Sequence, residues 1–143
     1  MLLSAPVHSA SAGAAAGALE HVSLAWIEGW ACNPVDPAQN ITVEIFASAV
    51  EPTDSNRCIQ HSGARLCHCG VAVARHLREQ GVANQCGGAA WKGFFLETPP
   101  VLLDGVEHDV FAFIGANSTS PLSLPVTFSA DTLYQQEYFG NGS

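Results

Sequence analysis

Cationic side chains are almost missing from this chain. Arg57, Arg65, Arg75, Arg78 and Lys92 are the whole supply in 143 residues, against 13 carboxylates and a net charge of -8. A surface of that sign repels a phosphate backbone, which argues against nucleic acid as a partner. Charged residues of both signs reach 13%, about half the usual share. No apolar run approaches the ~20 residues of a spanning helix. Also absent are G-x-S-x-G, H-E-x-x-H, a phosphate loop and a glycine-rich dinucleotide turn. The reading is therefore a protein that is not an enzyme, has no cofactor and does not span a membrane.

Cysteine is present in a number that points outside the cell. Cys32, Cys58, Cys67, Cys69 and Cys86 suit an oxidising compartment, because cytosolic thiols are kept reduced. At least two disulfides are expected, most of them pinning residues 51–70 to themselves or to the segment around Cys86, while the pattern leaves the connectivity open. His61, His68 and His76 lie near these cysteines in sequence, but Cys67-x-Cys69 is tighter than the usual spacing of a structural zinc site. A thiol beside His61 or His68 has the chemistry of a nucleophile, without an orienting third group. Asn40, Asn117 and Asn141 each open a glycosylation sequon. Asn117 is the first expected to carry a glycan in a eukaryotic host, followed by Asn40.

One domain accounts for the length. Residues 1–18 are small and Ala/Ser-rich, without the basic and apolar regions of a secretory signal. They are expected to form an extended arm ahead of a domain at 19–130, with a tail at 131–143. Alternation dominates that domain. Ile41, Val43, Ile45 and Ala47 share one face, and Val106, Val110, Ala112 and Ile114 share another with His108. Weaker runs at 21–27, 71–75, 91–97 and 122–128 predict further strands, the last an edge strand interrupted by Pro125. A bulge is expected before Gly29, residues 75–80 read as one or two helical turns, and 51–70 as a long cysteine-rich loop insert. The sum is an all-β chain, an antiparallel β-sandwich.

Four landmarks lie in order along it: Gly29-Trp30-Ala31-Cys32-Asn33-Pro34, the strand at 41–46, Arg75 with Gly93-Phe94 downstream, and Leu103-Asp104-Gly105-Val106-Glu107-His108-Asp109-Val110. Their order resembles small Ig-like β-sandwich modules of secreted bacterial surface proteins and carbohydrate-active enzymes. Those modules carry Gly-Trp-Ala-x-Asp, Arg-x-Asp-Val, Gly-Phe and Asp-Gly-x-His motifs. The resemblance covers residues 19–128 and implies an Ig-like fold with a non-catalytic accessory role. Cys32-Asn33, the Arg75-His76-Leu77 stretch and the cysteine-rich insert depart from the pattern.

If Ile41, Val43 and Ile45 point inward, Phe46 points outward, and the same parity turns Phe111 and Phe113 out of their strand. Three phenylalanines on one outer face would make an interaction surface. The first functional expectation is therefore an extracellular structural or adhesive subunit that associates with copies of itself. Its arm would add to the 122–128 edge of a neighbour, forming a filament or surface layer. The alternative is a carbohydrate-binding module in which Trp26, Trp91 or Tyr134 stacks on glycan rings. A zinc-stapled domain is the third.

Overall fold

The alternation at 41–48 produces strand β3, Thr42–Ala47, whose Val43, Ile45 and Ala47 are fully buried. Both of its edges are paired, so β3 takes the middle of a sheet. The computed structural model of the chain describes residues 15–53, 56–114 and 121–130. These form β1 (Ala16–Val22), β2 (Trp26–Cys32), β3, β4 (Cys58–His61), β5 (Ala64–Val73), β6 (His76–Leu77), α1 (Gln80–Gln85), β7 (Trp91–Glu97), β8 (His108–Ile114) and β9 (Val126–Phe128). Every ladder is antiparallel. One sheet runs β1-β2-β7-β6 and the other β4-β5-β3-β8-β9. Leu19, Ile27, Ala31 and Phe94 of the first pack with Val43, Ile45, Val110, Ala112 and Phe128 of the second in a single apolar core. The chain is an all-β sandwich.

Several boundaries move from their expected places. The 21–27 run is not one strand: it straddles the β1–β2 turn, where Ser23 Oγ accepts the backbone N–H groups of Ala25 and Trp26. The bulge falls in β1, between Leu19 and His21, rather than before Gly29. Residues 76–77 pair with β7, and the helix starts only at Gln80. The 122–128 run shortens to β9, which among the described residues pairs only with β8. The largest correction concerns 51–70, which is not a structureless insert. Cys58–His61 and Ala64 onward form a hairpin whose two-residue turn, Ser62-Gly63, has φ of 51° and 83°. Positive φ at both turn positions matches strand twist, and glycine adopts it without steric cost.

At the start of the domain, Ala16 to Ala18 belong to β1 and pair with β2 of the same chain, opposite Cys32 to Trp30. Leu19 N–H also donates to Ser123 Oγ at 3.1 Å, tying β1 to the segment before β9. This part of the expected arm is therefore a sheet edge of its own domain. The rest of the arm, residues 1–14, and the tail at 131–143 lie outside the described residues.

The family-like landmarks have structural work. A Cβ on Gly29 would stand 2.1 Å from Ala18 O and 2.8 Å from the Phe94 ring, so β1, β2 and Phe94 meet only over glycine. Asn33 is buried, with Oδ1 accepting Val35 N–H and Nδ2 donating to Gln39. His108 is fully buried, with Nδ1 2.7 Å from Ser48 O and Nε2 2.8 Å from Asp104 Oδ1.

That pair gives a pH prediction. The His108 hydrogen bond holds the Asp104 carboxyl below its ordinary value. A carboxylate lowered in the folded state contributes stability above its unfolded value, near pH 4, and loses it as pH falls through the folded value. The stability difference between wild type and Asp104→Asn should therefore shrink as pH falls below about 4. Urea midpoints across that range measure it, and a difference independent of pH would contradict it.

Candidate functional site

The outer face of the β1-β2-β7-β6 sheet has two halves. On β2, Ile27 and Ala31 enter the core, so Trp26, Glu28, Trp30 and Cys32 point outward. Helix α1 covers one half: Val82 and Cys86 pack on Trp30 and Cys32, and Ala16 and Ala18 close the side. A Cys32–Cys86 disulfide fixes the helix there.

The other half is left open by the described residues. Trp26 stands opposite Glu97, and Glu28 opposite Phe95, giving a checkerboard with aromatics on one diagonal and carboxylates on the other. Trp26 and Phe95 are each 44% exposed, their ring centroids 5.3 Å apart at 74°. His76 packs on Phe95 at 4.5 Å. Beside them lies a cleft of about 290 Å³ lined by Val71, Ala72, Val73, Arg75, His76 and Phe95, at the lower end of ligand-pocket sizes of about 300 Å³ and above. Among the described residues neither Glu28 nor Glu97 has an ion-pair partner.

Arg78 divides the two halves. Its aliphatic stem lies over Gly93, where a Cβ would stand 2.8 Å from Arg78 Cγ and Cδ. Its guanidinium donates to Gly29 O and pairs with Glu20 and Glu79. Those contacts raise the Arg78 value against the opposing effect of its own burial, and the Arg78 hydrogen bond lowers that of Glu79. The cation is thus committed to the scaffold and leaves the checkerboard carboxylates uncompensated. On β3's side of the molecule, Lys92 is buried and donates to Gln39 O and Asn40 Oδ1, with burial pulling its ammonium below the ordinary range. Asn40 itself is exposed.

The expected phenylalanine patch sits on the opposite sheet and is not open. Phe46, Phe111 and Phe113 do share an outer face, but Phe46 and Phe113 are 2% and 1% exposed, clustered with Leu66, Ile59 and the half-buried Phe111. His61 of β4 reaches the rings of Phe111 and Phe113 although two strands separate β4 from β8. The β4–β5 hairpin must therefore curl over this face, and β5 carries the bulge that bends it, at Cys69. Around Phe46, Arg57 stacks at 5.1 Å and His68 meets the ring edge. Both Arg57 and His68 contact Glu44.

The second disulfide, Cys58–Cys67, clips the hairpin across its ladder. Cys69 is the free thiol, donating to Cys67 O, and burial pushes it up to about 12. It is not a thiolate at neutral pH. With His68 on Glu44 and His61 on the phenylalanines, the structure does not assemble the thiol–imidazole pair. Among the described residues no three His, Cys, Asp or Glu are grouped to hold a metal ion, and no helix is long and apolar enough to cross a membrane.

Of the three candidate stacking residues, Trp26 is at the checkerboard. Trp91 is 62% exposed on the same face, about 13 Å up β7 beyond the Arg78 stem. Tyr134, Asn117 and Asn141 lie outside the described residues. Phe95, Glu28 and Glu97 are not singled out by the sequence, because placing them needs the β2–β7 register, and His76 stands out there only as a neighbour of the cysteines. In comparisons with known proteins, no family model matches the chain, and neither a curated protein nor a solved structure is significantly similar to it.

Proposed function

We propose that this chain is a non-enzymatic, extracellular Ig-like β-sandwich of adhesive type that binds carbohydrate on its open half-face. The observation that carries the proposal is the exposed Trp26–Phe95 pair flanked by Glu28 and Glu97. Sugar rings present an apolar C–H face and a rim of hydroxyl donors. Aromatic rings match the first and free carboxylates the second. The cleft by His76 and Arg75 gives a glycan chain room to continue beyond the rings.

Two disulfides support an oxidising compartment, and the resemblance to secreted modules supports the Ig-like assignment. Self-assembly has less behind it: the phenylalanine face is occupied by the chain's own hairpin, and residues 16–18 pair within their own sheet.

A glycan array probed with the full chain tests the proposal. Trp26→Ala and Phe95→Ala should each weaken the strongest hit about thirtyfold, the effect of truncating an interface anchor at about 2 kcal/mol. An array without a Trp26-dependent hit contradicts the proposal.

A further inference from the structure

Resting on the carbohydrate reading, we infer that the checkerboard selects a saccharide bearing a free ammonium group, an amino sugar without its acetyl cap. The argument is charge complementarity on a sheet face that no described residue covers. Glu28 and Glu97 occupy the two corners beside the Trp26–Phe95 diagonal, both exposed and neither neutralised by an ion pair among the described residues.

Among the described residues, the charged and titratable neighbours on this half-face are few. His21 of β1 stands opposite Glu28, and His76 packs on Phe95. Arg75 lines the cleft on the far side of Phe95, and Arg78 is held by Glu20 and Glu79. No lysine lies on this half-face, since Lys92 is turned inward and bonded to Gln39 and Asn40.

A cation seated at the diagonal would meet the carboxylates beside an edge-to-face aromatic pair whose planes lie at 74° to each other. That combines charge-assisted hydrogen bonds with cation–π attraction. The net charge of -8 adds long-range attraction for such a ligand. An acetylated or otherwise neutral sugar would keep the stacking and lose the charge terms. An acidic sugar would be repelled.

The test is calorimetric titration of the full chain with three tetrasaccharides: fully deacetylated chitotetraose, its N-acetylated form and cellotetraose. The expected result is a preference of about tenfold or more for the deacetylated form. It should diminish with added salt and collapse to within about twofold in the Glu28→Gln, Glu97→Gln double variant. Equal binding of all three, or a preference that survives the double variant, overturns the inference while leaving carbohydrate binding standing. Choline chloride competing as well as the deacetylated tetramer would place recognition in the cation alone and also overturn it. If none of the three binds, the inference fails, and the glycan array separately decides whether the carbohydrate reading fails with it.

Discussion

Replacing both Cys32 and Cys86 by alanine is expected to cost about 4 kcal/mol of stability on the chain-entropy account, because the bridge spans 54 residues. Cys58–Cys67 spans only 9 residues, and its removal should cost nearer 2.5 kcal/mol on the same account. Local packing reinforces the order. Cys32 and Cys86 are both fully buried, and their bridge holds α1 over Trp30. A six-residue helix is too short to be stable by itself. Its loss would expose the Trp30 indole. Chemical denaturation followed by tryptophan fluorescence reads both effects. A double variant within about 1 kcal/mol of wild type, below the range for native disulfides, would show that α1 docks without its tether.

Phe46→Ala should destabilise the domain by about 3–5 kcal/mol, the range for removing a buried aromatic. A surface-exposed Phe46 would predict a change within about 0.5 kcal/mol. The larger figure follows from the ring's position beneath the hairpin. It meets Phe113 at 5.4 Å and His68 at 5.2 Å, with the Arg57 guanidinium over its face. Truncation would leave a cavity and also loosen Arg57 and His68 around Glu44, which is only 9% exposed. Saccharide binding on the opposite sheet should be unchanged wherever the variant is folded. Urea midpoints measure the first effect and calorimetry the second.

Strands whose two faces differ were legible in the sequence. The 91–97 run coincides with β7, and β3 differs by a residue from its apolar alternation. The β4–β5 hairpin was hidden because cysteine and histidine occupy its alternating positions and carry little hydropathy contrast. Ser62-Gly63 is a turn signal, but its composition also fits an irregular loop. The helix was misplaced because Arg75 and His76 look compatible with one, whereas the backbone of Arg75 bonds to Gly93 and extends the sheet.

At the candidate site, Trp26 could be named from its type. Phe95 could not, because Phe94-Phe95 offers no choice of parity until Phe94 is known to fill the core. Glu28 and Glu97 acquire meaning only from a register across two strands distant in sequence. The phenylalanine patch shows the opposite failure: parity placed three rings on one face correctly and could not reveal that the chain folds back over them.

The central claim is that the open half-face of the β1-β2-β7-β6 sheet is where ligand binds. Titrating the isotopically labelled full chain with the strongest array glycan, and following its NMR signals, tests that claim most directly. Shifts should concentrate on the Trp26 indole, the Phe95 and His76 rings and the amides of Glu28 and Glu97, leaving Phe46, Phe111 and Phe113 unmoved. Shifts centred on the phenylalanine face, or on Trp91 without Trp26, would contradict the account.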